Sequence, residues 1–257
     1  MTLVGCRRPC GSVAAERIKL STTRSPIWSA VVAAVLSLGI AALQPAATLS
    51  NDPLPPARAA VGVVTFAVPV LMILAAMTVT GEYRTGMIRT TFMATPHRTR
   101  VLGAKALTTA VFAGVFAAAM VIASLLVARS MATGQIGDRL SLARAEAWRP
   151  VGAVGVYAAL GAVLAVGLAV LLRYAAGVIA VLLLMPFVIE PLLGSAPRIG
   201  EHVGPLLPFA NAWAFTGVPW FGAFPPSWGA LGSLLYFTGV VAAIYLAAVF
   251  VINRRDP

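Results

Sequence analysis

Val151–Leu172 reads VGAVGVYAALGAVLAVGLAVLL, an apolar run without one charged side chain. A helix needs about 20 such residues to cross the hydrocarbon core of a bilayer, whereas core helices of soluble domains alternate apolar and polar faces. Arg173 and Tyr174 follow, and a second run, Ala175–Leu193, begins at once. A connection that short makes the two runs an antiparallel hairpin. Working outward, four further windows have the same character: Ile27–Leu43, Ala59–Thr80, Val101–Val127 and Trp228–Ile252. The Ala175–Leu193 run is the least continuous of them, since Pro186, Glu190 and Pro191 fall in its second half.

The composition agrees. Of 257 residues, 60% are hydrophobic and 11% charged, with mean hydropathy +0.91; soluble domains carry about 25% charged residues. Six spans use roughly 120 residues, and the rest is loops and tails with no room for a separate soluble catalytic domain. The expected fold is an all-α membrane protein, a single transmembrane domain over 1–257. A leader occupies 1–26, six transmembrane helices occupy 27–252, and a tail occupies 253–257. The first window has a basic leader and small residues at Ala46 and Ala47, as a signal peptide would. About 26 residues precede it, however, and Trp28 stands at its start like an interfacial anchor, so it is read as a retained span.

The net charge of +11 would suggest nucleic acid in a soluble protein, but at a membrane surface basic residues set topology and meet anionic headgroups. No nucleic-acid partner is expected, and membrane lipids are. With the N-terminus inside, thirteen of the 19 Lys and Arg fall on the cytoplasmic side: Arg7, Arg8, Arg17, Lys19, Arg24, Arg84, Arg89, Arg98, Arg100, Lys105, Arg173, Arg254 and Arg255. The outer side holds six: Arg58, Arg129, Arg139, Arg144, Arg149 and Arg198. Both termini are therefore expected to be cytoplasmic, with the arginines of 129–149 as the exception.

Catalytic chemistry has little to stand on. The chain contains no G-x-x-x-x-G-K-[ST], H-E-x-x-H or G-x-S-x-G, so phosphate cradling, zinc hydrolysis and a serine nucleophile elbow lack their residues. His97 and His202 fall on opposite sides of the membrane, and Cys6 and Cys10 lack further ligands. No cofactor or metal is expected. Glu190, about a turn from the outer end of the fifth span, either lines a polar outer cavity or snorkels to the interface. Gly194–Ser227 is rich in Gly, Pro and aromatics and reads as an outer re-entrant or interfacial segment. Small residues at four-residue spacing (Ala113, Gly114, Ala117 and Ala118 in the third span; Gly155, Ala159, Gly161 and Ala165 in the fourth) let helices approach closely in lipid.

The most informative loop is Gly81–Arg100, GEYRTGMIRTTFMATPHRTR, leading to Lys105. Tyr83, Met87 or Ile88, and Phe92 recur at helical spacing, which gives a short amphipathic element ended by Pro96. Such a basic, apolar knob suits docking to a soluble partner or contact with lipid equally well.

This loop resembles the first cytoplasmic loop of ABC-2 type permeases, the transmembrane subunits of a class of bacterial ABC exporters. The matching positions are Glu82, Tyr83, Arg84, Gly86, Ile88, Arg89, Thr90, Thr91, Pro96, Arg98, Ala104 and Lys105. A weaker match covers Glu16, Lys19, Leu20, Arg24, Ser25 and Trp28, and Leu207–Trp213 also fits; Pro26 and the arginine-rich outer loop depart from the pattern. The resemblance implies an interfacial elbow helix carrying Glu16, Lys19 and Arg24. It also implies a cytoplasmic coupling helix between the second and third spans. Glu82, Tyr83, Arg84, Gly86, Arg89, Thr91, Pro96 and Arg98 would serve coupling and docking to a cytoplasmic ABC ATPase subunit. Within that group Glu82 is the candidate hinge contact to the elbow or the ATPase, and Arg84, Arg89 and Arg98 the candidates for its acidic surface. A second permease copy, identical or different, would complete the unit in the bacterial plasma membrane. The cargo would be a hydrophobic or amphipathic compound. The alternatives are a stand-alone secondary transporter, for which no internal repeat is found, and a lipid-modifying membrane enzyme resting on Glu190 and Glu201.

Overall fold

The computed structural model describes residues 24–47, 54–86, 98–132, 137–138, 140–196, 198, 200–219 and 228–254. Among these there is no strand, and six helices are long and apolar enough to cross a membrane. We label them α1 (Arg24–Ala47), α2 (Val63–Thr85), α3 (Arg98–Met131), α4 (Ala145–Leu172), α5 (Ala175–Ser195) and α6 (Gly229–Arg254). The chain is a multi-pass membrane protein. In hydrocarbon every backbone polar group needs an internal partner, so a helix is the one open-ended way across.

All six expected spans are present, mostly with longer ends. α3 has 34 residues, about 50 Å at 1.5 Å per residue, well beyond the ~30 Å apolar core. Its surplus places Arg98 at one end and Arg129 at the other, each beyond the apolar stretch. The arginine-rich segment is also partly helical: Arg129 stands in the last turn of α3 and donates to Ser141 Oγ at 3.4 Å, while Arg149 stands in the second turn of α4.

Two of the helices form the interior. Of the most apolar window, 67% is buried in α2 and 61% in α4, against 17–28% in the other four. The outward faces of the other four carry Val35, Val115, Leu192 and Leu246, all exposed. Facing lipid, these side chains need no further protein cover. α4 owes its central place to glycine. A Cβ on Gly155 would meet Gly114 O of α3 at 3.2 Å, one on Gly161 would strike Met72 of α2, and one on Gly167 would meet Ile244 Cγ2 of α6 at 3.2 Å. Three glycines on three faces thus let three neighbours lie close against the backbone of α4.

Two π turns adjust the register. Pro69 has no N–H for the carbonyl of Thr65, and Pro191 none for that of Phe187. In each case the preceding residue bonds one position further back: Val68 N–H to Val63 O, and Glu190 N–H to Met185 O. The helix widens over Val63–Ala67 and over Met185–Ile189, then continues. Pro186 and Pro191 therefore leave the fifth span unbroken.

α1 packs along α3, and it also crosses the start of α2 closely. Ser37 Oγ donates to Ala33 O at 2.7 Å and lies 3.0 Å from Gly62 O, and a Cβ on Gly62 would come 2.6 Å from Ser37 O. Gly62→Ala should therefore push α1 off the bundle and cost about 1–3 kcal/mol, the usual penalty of overpacking. Gly39→Ala in the same helix meets nothing within 4 Å and should be neutral or stabilising by up to about 1 kcal/mol. Thermal unfolding of the two variants in one detergent provides the comparison.

Candidate functional site

The chemistry concentrates at the two ends of the bundle. At one end α2 stops at Thr85, where Gly86 (φ 69) takes the left-handed conformation and returns its N–H to Tyr83 O. One turn earlier, Glu82 points inward and is 8% exposed. Facing it two turns into α3 is Lys105, 5% exposed, with Nζ 2.9 Å from Glu82 Oε1. The same ammonium reaches Thr78 O at 3.4 Å. Two charges taken out of water hold together only when their geometry and hydrogen bonds compensate the lost hydration, and here a second acceptor supplies part of that.

Around this pair the other helices are tied in. Arg173, in the left-handed conformation (φ 62), makes the turn from α4 to α5 and lays its guanidinium 5.6 Å from the Tyr83 ring centroid. Arg98 Nη1 donates to Ile252 O at 3.1 Å, which joins the start of α3 to the end of α6. Arg84 is exposed on the last turn of α2. Thus α2, α3, α6 and the α4–α5 turn meet at this end.

Of the residues expected in docking and coupling, Glu82, Tyr83, Arg84, Gly86 and Arg98 lie together here. Arg89, Thr91 and Pro96 lie outside the described residues, as do Met87, Ile88, Thr90 and Phe92 of the amphipathic element. From the elbow, Glu16 and Lys19 also lie outside; Arg24 is the first residue of α1. Reading the sequence did not pair Glu82 with Lys105. The available signal was an acid and a base at the facing ends of consecutive spans, where both need a partner.

At the opposite end Glu190 is fully buried. Its Oε1 accepts from Phe209 N at 2.9 Å and its Oε2 from Ala210 N at 2.7 Å. These are first-turn amides of the short helix Pro208–Thr216, which have no intrahelical acceptor. An acidic group there also suits the helix dipole. Asn211, equally buried, donates through Nδ2 to Pro205 O and Leu207 O, both at 2.9 Å, and accepts from Trp228 Nε1 at 2.7 Å. Phe209 meets Phe237 of α6 at a tilt and Tyr157 meets it edge-on, with centroids 6.0 and 5.8 Å apart. The helix Pro208–Thr216 is thereby fastened to α4, α5 and α6 at this end of the bundle. The sequence placed Asn211 in the Leu207–Trp213 stretch and Trp228 at the start of the sixth span but did not pair them, because their partnership spans a stretch with no periodicity.

Among the described residues no three His, Cys, Asp or Glu side chains gather. Compared with protein-family models, curated proteins and solved structures, the chain matches none.

Proposed function

We propose that the chain is the membrane-embedded subunit of an ABC-2 type transporter that exports a hydrophobic or amphipathic compound with energy from a separate cytoplasmic ATPase. The observation that carries this reading is the buried Glu82–Lys105 pair. It clamps the end of α2 to the start of α3 on either side of the 87–97 segment, whose residues carry the resemblance. A segment seated on an ATPase moves both helices together only if its two roots are rigidly joined, and the ion pair joins them. In this reading the Glu82 end is cytoplasmic, 87–97 holds the coupling helix, and the leader with Glu16, Lys19 and Arg24 is the elbow. A second permease copy completes the bundle. A closing ATPase then drives a rigid-body change in the helices.

Arg84 is a rim charge, and rim charges affect association more than affinity. Arg84→Ala should leave ATP-driven transport within a few-fold of normal, whereas Glu82→Ala should lower it much further. The decisive experiment reconstitutes the tagged chain with whatever P-loop ATPase co-purifies, and follows ATP-dependent uptake into inverted vesicles. Uptake on an ion gradient without ATPase would refute the reading. So would labelling, from outside intact cells, of a cysteine placed beside Glu82.

A further inference from the structure

Beside the ion pair, the end of α2 and the α4–α5 turn enclose a cleft of about 430 Å3. It is lined by Arg84, Arg173, Tyr83 and Tyr174, and by Met77 and Thr80 nearer the middle of α2. We propose that this cleft binds the anionic headgroup of a membrane phospholipid, with the phosphate between Arg84 and Arg173 and an acyl chain along Met77.

Charge is the first argument. Two guanidiniums line the cleft and no acid does; the nearest, Glu82, is bonded to Lys105. The donors are also available. The Arg173 guanidinium carbon lies 5.6 Å from the Tyr83 ring centroid, and its buried Nε has no hydrogen-bond partner among the described residues. A guanidinium beside a ring still offers its terminal N–H groups in the fork that matches phosphate oxygens. Arg84 is exposed and forms no ion pair among the described residues.

Position supplies the second argument. The cleft lies where two spans end, and Tyr174, 59% exposed, has the amphipathic ring favoured at headgroup level. Met77, 46% exposed, stands about two turns deeper on α2, on the hydrocarbon side of the arginines. A soluble anion gains nothing from that apolar wall, and an acidic protein surface would not fill a recess. An amphiphile uses both. Basic pockets between spans are known to take anionic headgroups in this way.

The test needs only the full chain purified without an ATPase, so its outcome is independent of the transporter reading. Native mass spectrometry would compare retention of phosphatidylglycerol and of phosphatidylcholine with matched acyl chains. The chain should prefer phosphatidylglycerol. Arg84→Gln should weaken that retention several-fold, and Arg84→Gln with Arg173→Gln by roughly tenfold or more, as expected for two lost headgroup contacts. Because Arg84 is exposed and forms no ion pair among the described residues, its single variant decides the matter should the double variant fail to fold. Equal retention of the two lipids, or unchanged phosphatidylglycerol binding by Arg84→Gln, overturns the proposal. Displacement of the lipid by inorganic phosphate would mark a soluble-anion site, and displacement by polyglutamate a site for acidic protein; either result also overturns it.

Discussion

Glu82→Ala is expected to lower the unfolding free energy of the purified chain more than any other change at that end of the bundle. Removing one partner from a buried ion pair costs about 3–5 kcal/mol, because the other charge is left without compensation. Lys105 keeps its contact to Thr78 O and has a flexible stem that can turn toward the headgroups, so the loss should fall toward the lower end of that range. The informative control is the double variant Glu82→Met with Lys105→Met. Replacing both members of such a pair by apolar side chains of similar volume is often neutral, so the double variant should recover most of what the single variant loses. Arg84→Ala, at an exposed position two residues away, should stay within about 0.5 kcal/mol. Titration with SDS in mixed micelles, followed by circular dichroism, measures all of these on one scale. If Glu82→Ala proved no worse than Arg84→Ala, the pair would not hold α2 and α3 together.

The second large effect is expected at Glu190. Glu190→Ala leaves the amides of Phe209 and Ala210 buried without an acceptor, and each such group costs about 1–3 kcal/mol. A combined loss of about 2–6 kcal/mol follows if the helix cannot move to water. Glu190→Gln keeps one carbonyl acceptor but turns a donor toward the other amide, so roughly half the loss should remain. The loss should be local first. Trp228 donates to Asn211 of the capped helix and stacks on Tyr236 with centroids 5.6 Å apart. Release of that helix should therefore redshift tryptophan emission and raise quenching before the long helices melt. If emission and circular dichroism changed together in Glu190→Ala, as in the unaltered chain, the capped segment would not be a separate unit.

These two acids show where reading a sequence stops. Both were conspicuous, being rare ionisable groups next to long apolar runs. For Glu190 the sequence offered a polar cavity or the interface, and its actual partners are backbone amides 19 and 20 residues away. Backbone donors leave no mark in a composition, since every residue but proline has one. For Glu82 the partner Lys105 lies 23 residues on, in the next span, and several bases stood nearer in the chain.

Pattern and length by themselves fixed the existence of the six spans, the tight hairpin at Arg173 and the use of small residues in α3 and α4. Lipid imposes the reason: about 20 apolar residues have one stable form there, with every amide bonded inside its own segment. Tertiary structure alone decided which helices are central. All six are apolar on every side, so hydropathy cannot tell a lipid-facing surface from a protein-facing one. The choice fell to shape, through Gly155, Gly161 and Gly167 turning three faces of α4 to three neighbours. It also decided how Pro69 and Pro191 are absorbed as π turns, because a missing amide donor can break a helix or widen it, and only the packing around it selects between them.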